Sequence, residues 1–310
     1  MAIFISGDDV RKLLPVAECI GVLEDLFQQE SKGLVELLPR RRFRYQNGGS
    51  ATLMGGSVLG SNAYGVRNSN ISVLYNTETG ELDAIIQPSP LATIRTGGAS
   101  GVATKHMARP DASAVGIIGT GKQSQAQLEA MCAVRPITRI KAYSRSTEKR
   151  EAFVRDVSPA LGVETIAVAS AEDCVRGSDI VIAATSSYEP VFDGAWLEPG
   201  THVNAVGSNN WRRREVDEAT VTRASVVAVD NLEQAKGECG ELIWAVEREA
   251  FRWRDAVELH EVVSGKVAGR PSADAITLFE SQGIGTEDVA CYAYVLGKAR
   301  EQGMGQPLPF

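Results

Sequence analysis

The sequence predicts an α/β protein: a doubly wound parallel sheet joined to a second, split α/β region. Three observations carry this. Short apolar runs alternate with helical periods from residue 113 onward. A glycine turn, G119-T-G121-K-Q-S124, joins the first of those runs to the first of those helices. Upstream, alternating segments precede a helix of small residues.

Residues 8–32 place apolar side chains at helical spacing behind an aspartate cap. SATLMGG, GVRNSNISVLYN and ELDAIIQ alternate as strands, and the turn NTETGEL folds the last two into a hairpin. Residues 91–108 are helical in period, and ARPDA at 108–112 marks a domain junction. The strands beyond it are VGIIG (115–119), RIKAYSR (139–145), ETIAVA, DIVIAATS (179–186), THVNAVGS (201–208) and SVVAVD (225–230). SQAQLEAMCAV, residues 147–157 and SAEDCVRG are the helices between them. This order implies parallel pairing with helices on both faces of the sheet. The tail beginning SADAITLFE reads as a loop and then a long helix. The domains expected are 1–112 with 288–310, and 113–287.

The bulk properties narrow the function. A chain of 310 residues, 44% hydrophobic and 23% charged, suffices for one large or two ordinary domains. A net charge of −7 argues against general nucleic-acid binding. The basic run PRRRFR at 39–44 is a solvated strand edge or a local anion site. Five cysteines without CxxC spacing and three scattered histidines argue for reduced thiols, with neither a metal site nor a disulfide framework. The N-terminus has no signal-peptide pattern and no run approaches 18 apolar residues, so a cytoplasmic protein without a membrane segment is expected.

The glycine turn is where the chemistry begins. Gly119 permits the tight turn, and Gly121 lets the backbone approach a pyrophosphate. Thr120, Lys122 and Gln123 complete the loop, and the following helix offers N–H groups to phosphate. Ser124 replaces the third glycine of the usual pattern, which points to wider helix–sheet spacing. The bland alternative is a turn that binds nothing. At the end of the second strand, an NAD site usually carries a carboxylate for the ribose 2′-hydroxyl. Here that place holds Tyr143, Ser144, Arg145 and Ser146. A cation among hydroxyls suits a 2′-phosphate, so NADP is preferred over NAD.

The segments RTGGASGVATKHMAR (95–109), VGIIGTGKQSQAQ (115–127), YSRS (143–146), VNAVGSN (203–209), REVD (214–217), VVAVDNLEQAKGECGEL (226–242) and TLFESQGIGTEDVA (277–290) occur in one order. Together they resemble the ornithine cyclodeaminase/mu-crystallin family over nearly the whole chain. The resemblance implies a Rossmann domain plus a split α/β dimerisation and substrate domain, nicotinamide chemistry on an amino or imino acid, and a homodimer. It matches Thr185 and Ser186 to nicotinamide-ribose contacts, with a strand-end cap as the alternative, and sets the turn Val206, Gly207, Ser208, Asn209 at the cofactor. Thr96 either touches a cofactor phosphate or is a helix-start hydroxyl. It matches Arg95 to a family arginine at the substrate–nicotinamide junction, and Arg42, with Arg41 as rival, to another on the first strand.

Two positions depart from the cyclodeaminases of the family. Arg67 stands where they have a lysine, and Asn209 where they have an aspartate. Asn209 takes no proton near neutrality, and Arg67 cannot act as a base. Both changes disfavour cyclodeamination. Neither blocks C=N reduction, in which protein groups orient and polarise. The leading expectation is an NAD(P)H-dependent imino acid reductase, with amino-acid dehydrogenation as its reverse. A lyase with bound NAD and a non-catalytic, crystallin-like NADP-binding protein are the alternatives. Three arginines, Arg42, Arg67 and Arg95, would suit a dicarboxylic imine such as iminosuccinate. Otherwise Arg67 pairs with an acid such as Glu238 and only shapes the pocket. Asp230 and Glu238 are local helix caps or site acids, and Asp288 is expected as an N-cap.

Overall fold

The structure, a computed structural model, describes residues 1–309. It divides into two units, one formed by Met1–Gly98 with the chain from Gly283 onward, the other by Ala99–Gln282. The sequence sets these boundaries after 112 and 287. The first falls instead inside a helix, because the small-residue segment continues unbroken through Gly98.

The first unit opens with β1 (Ile3–Ile5), α1 (Gly7–Leu13), α2 (Val16–Ser31), β2 (Val35–Arg44), β3 (Ser50–Val58), β4 (Ala63–Arg67), β5 (Ser72–Asn76), β6 (Leu82–Ile86) and α3 (Leu91–Met107). Two helices form where the sequence predicts one. Ser6, and no aspartate, caps α1: its Oγ accepts from the Asp9 N–H at 3.2 Å, and the Asp9 carboxylate accepts from the Ser6 N–H at 3.2 Å. Pro15 lacks the N–H that would continue α1, so α2 begins anew after it. GVRNSNISVLYN likewise forms two strands. The Asn68 side chain accepts from the N–H groups of Asn70 and Ile71, each at 2.8 Å, and turns β4 back into β5.

The second unit contains β7 (Ala114–Ile118), α4 (Ser124–Val134), β8 (Arg139–Tyr143), α5 (Thr147–Leu161), β9 (Glu164–Ala167), α6 (Ala171–Val175), β10 (Ile180–Ala183), β11 (His202–Ala205), α7 (Glu218–Arg223), β12 (Ala224–Val229), α8 (Leu232–Glu238), α9 (Gly240–Glu247), β13 (Ala256–Glu258), α10 (Leu259–Val263) and β14 (Ile276–Glu280). Its eight strands are all parallel, in the order β13-β12-β14-β11-β10-β7-β8-β9. This is a doubly wound sheet, and β7, β10, β11 and β14 are buried along their whole length. β14 corrects the expected loop at ITLFE: it lies between β11 and β12.

The chain then returns to the first unit as α11 (Gly285–Gln302) and β15 (Gln306–Pro307). The seven-stranded sheet there runs β15-β1-β6-β5-β4-β3-β2. α11 packs on α2 and on β2 to β5, burying Cys291, Tyr292, Val295 and Ala299. The buried Ser72 hydroxyl donates to Tyr292 Oη at 2.8 Å. PRRRFR lies on the edge strand β2, with Arg41, Arg42 and Arg44 exposed. All five cysteines are free thiols. Among the described residues no helix is long and apolar enough to cross a membrane.

Candidate functional site

In the second unit the strand order reverses at β7, which has β8 on one side and β10 on the other. Open parallel sheets bind ligands at the carboxyl ends of strands flanking such a reversal. A cleft of about 810 Å³ lies there. Gly119, Thr120, Gly121, Lys122 and Gln123 line it from the glycine turn, Ser144 and Arg145 from the end of β8, Thr185 and Ser186 from the end of β10, and Gly207 from beyond β11. Gly119 has φ 110°, and a side-chain carbon there would fall 2.3 Å from the Ala184 carbonyl oxygen. Only glycine fits. Among the described residues no side chain caps the N-terminus of α4, which leaves that end of the helix to a ligand.

Ser124 ties the two glycines of the turn together. It is fully buried, and its hydroxyl accepts from the Gly121 N–H at 3.1 Å and donates to the Gly119 carbonyl at 3.0 Å. The third glycine position is therefore a brace across the turn.

Lys122, Arg145 and Lys149 line the cleft, and among the described residues no carboxylate does. Thr120 Oγ1 donates to Ser144 Oγ at 3.2 Å, tying the glycine turn to the end of β8. A polyanionic nucleotide fits this surface, with the helix end for one phosphate group and cations for another. Val206, Ser208 and Asn209 do not line the cleft; Asn209 is exposed. Thr96, in the first unit, is buried and donates to the Ala92 carbonyl one turn back, at 2.7 Å.

The first unit holds a buried arginine network. Arg67 Nη1 lies 3.1 Å from both carboxylate oxygens of Asp288. Arg95 Nη1 lies 3.1 Å from Glu287 Oε2, and its Nε 3.4 Å from Asp288 Oδ1. The partner of Arg67 is thus Asp288 and not Glu238. Asp288 is no N-cap either: Ile284 holds that place, and Asp288 lies in the first turn of α11 as a counter-ion shared by two arginines. On β2 the partly buried arginine is Arg40, whose Nη2 donates to the Gly283 carbonyl at 2.6 Å, while Arg41 and Arg42 are exposed. A register shift between Leu38 and Arg41 moves the alternation by a residue, which periodicity alone does not reveal.

Asp230 and Glu238 do not cap α8; Asn231 does, accepting from the Gln234 N–H at 3.0 Å. Asp230 is fully buried and accepts from the Ser281 hydroxyl at 3.3 Å.

Three buried carboxyls escape sequence reasoning: Glu215, Glu241 and Glu280. Burial pushes Glu215 and Glu241 each up to about 7 and Glu280 well above the usual carboxyl range. Hydrogen bonds from Thr185 and Gly207 pull Glu215 partly back. Ligand atoms of Cys239, Glu241 and Glu280 lie within 4.8 Å of one another. A charged residue in a loop ordinarily signals solvent, so only the resemblance over REVD marks Glu215 at all.

A doubly wound sheet with a carboxylate-free, glycine-walled cleft at its switch point defines a Rossmann dinucleotide-binding protein. The profile of the ornithine cyclodeaminase/mu-crystallin family matches residues 2–303, and the chain belongs to that family. It is 37% identical over 241 residues to a Delta(1)-pyrroline-2-carboxylate reductase of Bacillus cereus, covering 77% of this chain and 74% of the relative. The solved Thermococcus litoralis Delta(1)-pyrroline-2-carboxylate reductase, in complex with NADH and L-proline, superposes with a TM-score of 0.94 at 32% identity, over 99% of this chain and 100% of that one. An archaeal alanine dehydrogenase dimer with bound NAD gives a TM-score of 0.92 at 29% identity, over 100% of this chain and 99% of that one.

Proposed function

We propose that this protein reduces a ketimine of a small imino acid to the amino acid with NAD(P)H, and runs in reverse as an amino-acid dehydrogenase. It is an NAD(P)-dependent oxidoreductase acting on C–N bonds, as are the relatives named above. The observation that carries the cofactor assignment is the cleft at the end of β7, walled by Gly119 to Gln123. When bound, the nicotinamide supplies the hydride for the C=N carbon. Gly119, Gly121 and the α4 terminus would hold the pyrophosphate, and Thr185, Ser186 and Gly207 the rest of the dinucleotide. A homodimer is the assembly proposed, following the dimeric alanine dehydrogenase.

NADP is the cofactor preferred here. Solved relatives hold NADH and NAD, so the preference rests on this chain's own Lys122, Arg145 and Lys149 and on the absence of a carboxylate among the described lining residues. Replacing Arg145→Ala should raise the KM for NADPH by roughly tenfold, the loss of about one charge-assisted contact, and leave that for NADH nearly unchanged. Equal effects on both cofactors would remove the NADP assignment.

For the substrate we propose one carboxylate. The reading follows the relatives named above, a Delta(1)-pyrroline-2-carboxylate reductase in complex with L-proline and an alanine dehydrogenase, whose named amino acids carry one carboxylate. A monocarboxylic imine such as a cyclic ketimine is the substrate class that follows. Arg42, the third arginine that a dicarboxylate of the iminosuccinate type would call on, lies exposed on the edge strand. The lyase alternative is disfavoured because Asn209 offers no proton acceptor. Cofactor oxidation should be followed with Delta(1)-pyrroline-2-carboxylate, and with pyruvate, glyoxylate or oxaloacetate plus ammonia or methylamine. Turnover with monocarboxylic imines is expected. Preference for oxaloacetate-derived imine would restore the dicarboxylate.

A further inference from the structure

Glu215 is a buried carboxylate that the reading above leaves without a role. It lies in the loop before α7. Its Oε1 accepts from the Thr185 N–H at 2.5 Å, and its Oε2 from the Gly207 N–H at 2.5 Å. Its backbone carbonyl accepts from the Val191 N–H at 2.9 Å. Thr185, Val191 and Gly207 all line the cofactor cleft. Behind it, the Glu215 N–H donates to Glu241 Oε1 at 2.6 Å, which fixes the residue from the protein side.

The need for such a fixture follows from the topology. β10 ends at Ala183 and β11 at Ala205, so Thr185 and Gly207 lie beyond the last ladder residues. A side-chain carbon at Gly207 would fall 2.1 Å from the Thr185 carbonyl oxygen and 2.5 Å from Glu215 Oε2. The two segments meet there with room for one carboxylate and no more. Two N–H donors on two oxygens require a carboxylate. Glutamine would present one oxygen and one NH₂, and the NH₂ would face a donor.

We propose that Glu215 is a positioning residue: its carboxylate cross-links the ends of β10 and β11 and preorganises the wall of the cofactor cleft formed by Thr185, Val191 and Gly207. The inference rests on the cofactor reading of that cleft. A wall fixed before binding spares the dinucleotide the cost of ordering it.

The test is Glu215→Gln, read by the Kd for NADPH and NADH from fluorescence titration, beside its thermal unfolding. Affinity should fall roughly tenfold or more, as expected for losing one hydrogen bond to a charged group. A variant that melts earlier but binds within about twofold of the parent would make Glu215 merely structural and overturn the proposal. Amide hydrogen exchange in the unsubstituted protein serves if the variant does not fold. Thr185 and Gly207 N–H groups should exchange as slowly as those of the adjoining strands. Exchange as fast as that of exposed Ser186 would equally overturn the clamp. Failure of the parent to bind either cofactor would remove the cofactor reading itself, while the exchange measurement would still decide whether the clamp exists.

Discussion

Asp288 makes one carboxylate the counter-ion of two arginines, with only 1% of its side chain exposed. Its removal takes the carboxylate partner from Arg67 and leaves Arg95 with Glu287. Breaking a buried pair in this way costs about 3–5 kcal/mol, a large fraction of the roughly 5–15 kcal/mol that holds a domain folded. Asp288→Asn should therefore lower the free energy of unfolding by about that amount in urea, and should weaken substrate binding more than cofactor binding. A loss below about 1 kcal/mol would mean the network is solvated and weak. Arg67, Arg95 and Asp288 are each visible in the sequence, but their mutual pairing is not. Residues 67, 95 and 288 meet only through the packing of β4, α3 and α11.

At the scale of elements, the parallel strands are the most legible feature. β7 and β10 are buried along their whole length and therefore read as plain apolar runs. β14 is not legible, because ITLFE ends in a glutamate and follows a polar stretch. Glu280 is nonetheless buried, kept tolerable by holding its proton. β2 hides its partly buried arginine behind a register shift, and α1 and α2 merge in the sequence because Pro15 interrupts a pattern that is helical on both sides. The glycine turn is legible from its strand–turn–helix context, whereas the Ser124 brace is not, since it depends on hydroxyl geometry. The assignment of β14 has its own test. Leu278 is fully buried between β11 and β12, and Leu278→Ala should cost about 2–5 kcal/mol in urea unfolding. A near-zero cost would place ITLFE outside the sheet.

For the whole molecule, the buried titratable groups shape stability against pH. Glu241, raised from 4.5 to about 7, and Glu280, raised well above 4.5, hold protons in the folded protein that the unfolded chain has already released. Their stabilising contribution is fully present below pH 4.5 and is lost as pH rises through about 7. His202, buried and pushed down to about 3, acts in the opposite sense. Its contribution is present above 6.5 and is lost as pH falls toward 3. Unfolding free energy should therefore decline as pH rises from about 4.5 to about 7, and Glu241→Gln should flatten that decline. An unchanged slope in the variant would assign the proton elsewhere.

The claim that joins these scales is that the chain consumes its cofactor as a reductant. The most direct measurement is the stoichiometry of NADPH oxidised to amino acid formed, with Delta(1)-pyrroline-2-carboxylate as substrate. One NADPH oxidised for each proline formed is the expected result. Proline and ammonia released from ornithine, with no net change in the cofactor, would contradict the account and make the protein a lyase.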